Sequence, residues 1–315
     1  MNYVVLDLEW NQSEEKSKEN KQIPFEIIEI GAIKLDGKRN VIGEFNQLIK
    51  PSVYSNMHHV TRSLVHMNME ELERGNGFPV VVNDFLNWCG KEEYLFCTWG
   101  PLDLVELQRN MRYYDLPALS EKPFPFLDVQ KLFSIQMEDG KQRRTLEHAI
   151  DLMEIEKDIP FHRAFSDAYY TAKIFQKISE PVLKRQSYDV FHLPLKRKDE
   201  VHVCFDTYVK YISREFKSKQ VAMNDKEVRT SRCILCRKPA KKVIRWFSLN
   251  GKHYYCLAKC PEHGLLKGKI RLRKSEQQKY YVIKTLKFIS DREAESIIQK
   301  QNKYKQMKEH NQEKK

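Results

Sequence analysis

The sequence predicts an α/β protein, a mixed central sheet flanked by helices, followed by a smaller basic β-hairpin module with a terminal helix. Three observations carry that expectation. Strand-like runs give way to alternating strands and amphipathic helices over the first 180 residues. Charge reverses along the chain, from 21 basic against 29 acidic residues up to position 180 to 34 against 14 beyond it. Four of the seven cysteines crowd between positions 233 and 260, around a hairpin signal. The 315 residues suffice for one medium domain and an appendage. With 41% hydrophobic and 31% charged residues, whole-chain disorder and low complexity are excluded. No apolar run approaches the ~18 residues a membrane helix needs, and Asp7 and Glu9 interrupt any apolar signal segment, so a cytoplasmic protein with no membrane partner is expected.

Residues 3–10 form a β-rich run whose alternation places Asp7 and Glu9 on one face. Residues 11–22 read as a loop, 26–35 as a second strand ending at Asp36-Gly37, and 44–49 as a third. Residues 83–88 end a helix, and 94–99 read as a buried strand broken by Gly100-Pro101. Leu104, Leu107, Met111 and Tyr114 then recur at helical spacing, with Asp103 in the first turn. Leu146, Ala149, Ile150 and Met153 mark the next helix behind the N-cap Thr145. Pro160 stops the chain before a last helix bearing Phe165, Ala168, Ala172 and Phe175, which leaves His162 in the preceding loop. The first domain thus spans residues 1–181. Residues 182–230 read as a basic connector, helical in part over 203–216. Residues 231–315 form the basic module: strands at 243–249 and 252–255 flank Asn250-Gly251, and the capping-box pattern Ser290-Asp291-Arg292-Glu293 opens a helix with a fraying, Lys-rich end.

Hydrolysing a phosphodiester calls for divalent cations, and two such ions roughly 3.5 to 4 Å apart need several converging carboxylates. Asp7 and Glu9 on one strand face, Asp103 at a helix start and Asp167 in the first turn of the last helix can supply them, with His162 as proton acceptor from the loop. Singly, each of these residue types is ordinary: a solvated acid pair, a charge complementing a helix dipole, a surface histidine. The ordered set is not. Asp128 reads as structural. Leu8, Trp10 and Trp99 border the acids and are the candidate substrate contacts, the two tryptophans being equally readable as core.

Asp7-Leu8-Glu9, Asp103 after Thr98-Trp99-Gly100, and His162-Arg163-Ala164-Phe165-Ser166-Asp167-Ala168 together resemble the DEDDh class of 3′-to-5′ exonucleases, the DnaQ-like and RNase T-like superfamily, over residues 1 to about 180. Within that class the chain is most similar to the branch of the histone-mRNA exonuclease and the KapD-like proteins. The resemblance implies an RNase H-like mixed sheet and two Mg²⁺ or Mn²⁺ ions held by Asp7, Glu9, Asp103 and Asp167. It also implies His162 as the base for the nucleophilic water, and release of nucleoside 5′-monophosphates. The stretch His59-Val60-Thr61-Arg62-Ser63-Leu64-Val65 lacks the glycine of the Leu-Thr-Gly-Ile found in relatives, which affects how a terminal sugar would seat.

Cys233-Ile234-Leu235-Cys236 forms a knuckle-like turn, and the hairpin returns the chain to Cys256 and to Cys260-Pro261-Glu262-His263-Gly264. A structural zinc site of the zinc-ribbon kind is expected, with ligands Cys233, Cys236, Cys260 and His263, and Cys256 as the alternative to His263. Cys89, Cys97 and Cys204 read as packing residues. Lys and Arg from position 237 to 274 interleave with Trp246, Phe247, Tyr254 and Tyr255, a mixture suited to single-stranded nucleic acid unless the rings are the module's own core. The function expected is a metal-dependent exonuclease trimming single-stranded 3′ ends, RNA ahead of DNA, with a C-terminal module that grips substrate. Its rivals are a nucleic-acid-binding or regulatory scaffold on an exonuclease-like fold, and a module that docks on a ribonucleoprotein.

Overall fold

Apolar side chains alternate along the opening strand and commit both of its faces to burial. In the computed structural model, which describes residues 1–65, 67–205 and 207–313, this strand is β1 (Asn2–Asn11). Val4, Leu6 and Leu8 point to one side of the sheet and Val5, Asp7 and Glu9 to the other. β2 (Glu26–Leu35) pairs antiparallel with β1 in a register that sets Val5 against Ile33, Asp7 against Gly31 and Glu9 against Glu29. β3 (Val41–Lys50) continues the meander. The chain then runs through α1 (His59–Val65), α2 (Met69–Leu72), the short β4 (Asn76–Gly77) and α3 (Phe78–Cys89). β5 (Tyr94–Thr98) adds to β1 in parallel and leads into α4 (Leu102–Tyr113). β6 (Phe124–Asp128) feeds α5 (Val129–Met137), and α6 (Leu146–Leu152), α7 (Ala164–Gln176), α8 (Glu180–Leu183) and β7 (Ser187–Asp189) complete the first unit. Its mixed seven-stranded sheet has the order β4-β3-β2-β1-β5-β6-β7.

α3 and α4 cover the face of Val4, Leu6 and Leu8, while α5, α6 and α7 cover that of Val5 and Ile33. Local chemistry starts α5, a helix outside the sequence reading, and α6, where the Thr145 cap was expected. Asp128 accepts the Lys131 N–H as N-cap of α5 and pairs with Arg143, and Thr145 accepts the His148 N–H as N-cap of α6. α7 crosses β2 so closely that a Cβ on Gly31 would lie 2.1 Å from the carbonyl carbon of Ala164. Only glycine fits there.

The second unit begins at His192. It contains β8 (Val201–Cys204), β9 (Tyr208–Ile212), α9 (Lys219–Asn224), α10 (Lys226–Arg229), β10 (Lys241–Ser248), β11 (His253–Cys260), β12 (Gly264–Lys274), β13 (Tyr280–Phe288) and α11 (Asp291–Glu313). The strands form one antiparallel sheet in the order β10-β11-β12-β13-β9-β8. α9 and α10 pack on one face, around Ile270 and Leu272, and α11 packs on the other through Ala294, Ile297 and Tyr304. The hairpin at Asn250-Gly251 is present but is one corner of this larger sheet. The capping box also forms: Glu293 N–H donates to Ser290 Oγ and Ser290 N–H to the Glu293 carboxylate.

Three expectations need correcting, and one open alternative is resolved. The stretch 203–216 is not helical, because its β-branched and aromatic residues pair as β8 and β9 with each other and with β13. Nor is 182–230 a connector: it gives β7 to the first sheet and two strands and two helices to the second, which moves the division to Phe191 and His192. Cys204 is exposed, whereas Cys89 and Cys97 are buried as expected. The rings of Trp246, Phe247, Tyr254 and Tyr255 serve the module's core, the first and third beneath α9 and α10 and the others beneath α11. Lys314 and Lys315, in the tail expected to fray, lie outside the described residues. Among the described residues no helix is long and apolar enough to cross a membrane.

Candidate active site and a second metal-ligand cluster

Strand alternation delivers Asp7 and Glu9 to the face covered by α7, and a register shift between Glu9 and Trp10 ends the regular pairing just beyond them. Asp167 stands in the first turn of α7. Carboxylate oxygens of Asp7, Glu9 and Asp167 lie within 4.8 Å of one another. Asp103, buried in the first turn of α4, accepts the N–H of Leu8, the residue between Asp7 and Glu9. His162 occupies the loop before α7 in a left-handed conformation, φ 62°, and its N–H donates to Asp167 Oδ1 at 3.3 Å. Its imidazole is about half exposed, with Nε2 3.7 Å from Glu147 Oε1. The structure therefore brings Asp7, Glu9 and Asp167 together, ties Asp103 to the same strand through Leu8, and joins His162 to Asp167 through its backbone N–H.

The cluster is electrostatically frustrated without a cation. Burial holds the Asp7 carboxyl well above the usual range, and Asp103, Asp167, Glu9 and Glu29 add to the effect. Burial, with Asp167, Glu29 and Asp103, lifts Glu9 to about 8 against the pull of Arg163. Burial likewise raises Asp103 to about 7, against N–H donation from its own backbone and from Leu8, and Asp167 to about 6, against the His162 N–H. Several oxygen donors that cannot all ionise together form the ligand set of a hard divalent cation, so the residues present fit Mg²⁺ or Mn²⁺.

A fifth carboxylate explains how the site is assembled. Glu29, fully buried on β2 directly opposite Glu9, accepts Arg163 Nη2 at 2.7 Å and Nε at 3.0 Å, and the Ala164 N–H at 3.1 Å. Arg163 follows His162 and caps the start of α7, so this pair fixes the loop and the helix that carry His162 and Asp167. Sequence reasoning missed Glu29, Arg163 and Glu147. The available signal was a lone acid inside the apolar run Ile27-Ile28-Glu29-Ile30.

The expected substrate contacts are placed less favourably. The Leu8 side chain, 3% exposed, sits in the α3–α4 core on the face away from the carboxylates, so only its backbone serves the site. Trp10 packs against that same core and against Phe25, with ring centroids 5.6 Å apart. Trp99 packs on Phe133 and donates its indole N–H to Arg144 O at 3.2 Å. The glycine-free stretch 59–65 is α1, tied to β1 by Asn11, which accepts the His58 N–H and donates to Asn56 O, and by Thr61 Oγ1, which donates to Trp10 O. Glu14, His58 and His59 also cluster, but they are partnered: Glu14 accepts the His59 N–H and lies 2.8 Å from His59 Nδ1 and 3.8 Å from His58 Nε2, while His58 Nδ1 accepts the Val60 N–H.

In the second unit Cys233, Cys236, Cys260 and His263 offer ligand atoms all within 4.8 Å of one another. Cys236 Sγ lies 3.7 Å from Cys260 Sγ, and His263 Nδ1 lies 3.6 Å from both Cys233 Sγ and Cys260 Sγ. A tetrahedral zinc ion with Zn–S about 2.3 Å and Zn–N about 2.0–2.1 Å sets sulfur–sulfur edges of about 3.8 Å and sulfur–nitrogen edges of about 3.6 Å. The donor set and spacing fit zinc. Desolvation opposes ionisation of Cys260, yet His263 and the backbone N–H groups of Glu262 and His263 bring its thiol down to about 6. Cys256 is not part of this group. It is buried beside Ser231 Oγ and over Gly268, and burial pushes its thiol up to about 11.

Comparison with known proteins bears on the first unit. The family of exonucleases described as RNase T matches residues 4–175. Among solved structures, a 3′-exonuclease described in 3′-end-specific recognition of a histone mRNA stem-loop is 15% identical, with a TM-score of 0.50 over 62% of this chain and 93% of that one, and shows the fold. Also similar are the nuclease domain of 3′hExo, a DEDDh family member bound to rAMP (18% identity, TM-score 0.48, 56% of this chain and 90% of that one), and cell-death related nuclease 4 (19%, 0.47, 56% and 62%). The chain thus spans 62% of the length of the cell-death nuclease. No curated protein matches. The family match covers more than half of the sequence and contains every residue of the carboxylate cluster, and the chain belongs to the RNase T exonuclease family.

Proposed function

We propose that the protein is a metal-dependent 3′-to-5′ exonuclease acting on single-stranded 3′ ends, RNA ahead of DNA, with release of nucleoside 5′-monophosphates. The convergence of Asp7, Glu9, Asp103 and Asp167 beside His162 carries this reading. Two divalent ions held by these four carboxylates would acidify the attacking water and neutralise charge on the leaving oxygen. His162, at the rim of the cluster, takes the water proton, a task suited to an imidazole near neutral pH. Glu147 lies where it can stabilise the resulting imidazolium. Glu29 and Arg163 position rather than react: they hold the loop and the helix start that carry His162 and Asp167.

In the second unit we propose a structural zinc ion held by Cys233, Cys236, Cys260 and His263. It would join the knuckle ahead of β10 to the turn between β11 and β12, so folding of this unit would be coupled to metal.

Three outcomes follow. With 3′-extended single-stranded RNA, denaturing gels should show a ladder receding from the 3′ end in Mg²⁺ or Mn²⁺ and none in chelator. Asp7→Ala should abolish it, and His162→Ala should slow it by roughly 10²–10⁴-fold. Absence of cleavage in any metal, with RNA binding retained, would instead favour the scaffold reading.

The second outcome concerns pH. Glu9, Asp103 and Asp167 have folded-state values of about 8, 7 and 6, all raised. Their contribution to the stability of the metal-free protein is therefore greatest below the unfolded values near ~4 and is lost as pH rises through the folded values. Because metal competes with these protons, the rise in Tm produced by Mg²⁺ should grow as pH increases from about 5 to about 8. An increment independent of pH would contradict this.

Thirdly, metal analysis should find one zinc per chain, lost in Cys236→Ser and His263→Ala but kept in Cys256→Ser.

A further inference from the structure

The carboxylates of β1 and the carboxylate of α4 stand on separate elements, and a contact between those elements has to set one against the other. Asp7 and Glu9 lie just ahead of the point where β1 and β2 leave register, since Glu9 opposes Glu29 while Trp10 opposes Ile27. β2 therefore holds one residue more than β1 there, a bulge at Ile28. A bulge re-aims side chains and disturbs the ladder, and the backbone groups beside it need partners from elsewhere. Asn110 supplies them. Its Oδ1 accepts the Ile27 N–H at 3.1 Å, and its Nδ2 donates to Phe25 O at 2.8 Å. The same Nδ2 donates to Glu106 O at 2.9 Å, one turn back along α4. Asn110 is fully buried, and these three bonds use its oxygen and both amide hydrogens, which leaves the side chain one orientation.

Asn110 and Asp103 are seven residues apart on α4. Two turns of helix advance about 10.5 Å and return to within about 20° of the same direction, so both residues belong to one side of the helix. Asp103 takes the Leu8 N–H of β1, and Asn110 takes the backbone at the start of β2. α4 is thereby fastened to both strands at the bulge, with Leu104 and Leu107 packed in one apolar cluster with Leu8 and Ile27. An apolar side chain at position 110 would cost nothing to desolvate, but it would leave the Ile27 N–H and Phe25 O without these partners.

We propose that Asn110 is a positioning residue of the carboxylate cluster: it clamps the bulge of β2 to α4 and so fixes Asp103 against Glu9 for cation binding. The clamp rests on the metal-dependent reading of the first unit and deepens it. Asn110 is no ligand, because backbone groups occupy its amide. Its effect passes through α4 and β2, and loss of such an outer partner typically costs 10–100-fold in metal affinity.

The test uses the full chain and Mn²⁺ binding read by calorimetry near pH 7, at a temperature where circular dichroism shows each variant folded. Asn110→Ala should weaken Mn²⁺ binding about tenfold or more. Gln108→Ala controls for stability alone. Gln108 is buried on the same helix, but it donates to Leu104 O and to Asp189, so its loss should lower Tm and leave Mn²⁺ affinity unchanged. Equal weakening in the two variants, or none in Asn110→Ala, would overturn the clamp. A measurement on the wild type serves where Asn110→Ala does not fold. Coupling is reciprocal, so saturating Mg²⁺ should slow hydrogen exchange of the Ile27 amide about tenfold. The Arg39 amide, which donates to Asp36 O beyond the far end of β2, should keep its rate. An Ile27 amide that exchanges equally fast with and without Mg²⁺ would also overturn the clamp. A wild type that binds neither ion would instead bring down the metal-dependent reading, and the clamp with it.

Discussion

The ion pair between buried Glu29 and half-buried Arg163 is the interaction on which the carboxylate cluster depends. Glu29 sits opposite Glu9 in the sheet, where an unpaired charge would add to an already crowded negative field. Arg163 neutralises it with two charge-assisted hydrogen bonds, and the Ala164 N–H adds a third contact. Breaking such a pair by removing one partner leaves an uncompensated charge, so the pair holds β2 to the start of α7 firmly even though its net worth over an apolar pair is small. Gly31, two residues along β2, makes the close approach possible by having no side chain.

That crossing turns a remote stretch of chain into part of one site. Asp7 and Glu9 are positioned by strand alternation and Asp103 by the Leu8 N–H, but Asp167 and His162 arrive from more than 150 residues away and need the Glu29–Arg163 contact to meet them. The site then concentrates negative charge among buried and half-buried side chains, which raises the carboxyl groups. The first 180 residues are net acidic, and none of the six strands of the second sheet carries a carboxylate.

Much of this was legible in the sequence wherever the determinant is local. The Asp7–Glu9 alternation, the Thr145 cap, the Asn250-Gly251 hairpin and the capping box at Ser290 all rest on residues within a few positions of one another. What was illegible depends on distant partners. Glu29 and Arg163 are 134 residues apart and look unremarkable singly. The run from Val203 to Phe216 becomes two strands because β13, some 70 residues later, is there to pair with. Leu8 borders two carboxylates in sequence but faces away from them, since neighbours on a strand point to opposite sides. Cysteine spacing could not separate Cys256 from His263; the fold does, by turning Cys256 toward Ser231 and Gly268.

The central claim is that the cluster of Asp7, Glu9, Asp103 and Asp167 exists to hold two cations. Anomalous scattering at the manganese edge, from crystals of the protein grown with Mn²⁺ near neutral pH, addresses it most directly. Two peaks about 4 Å apart among these four carboxylates are expected, with both lost or displaced in Asp7→Asn. Manganese bound elsewhere, or a cluster that stays empty at saturating metal, would contradict the account.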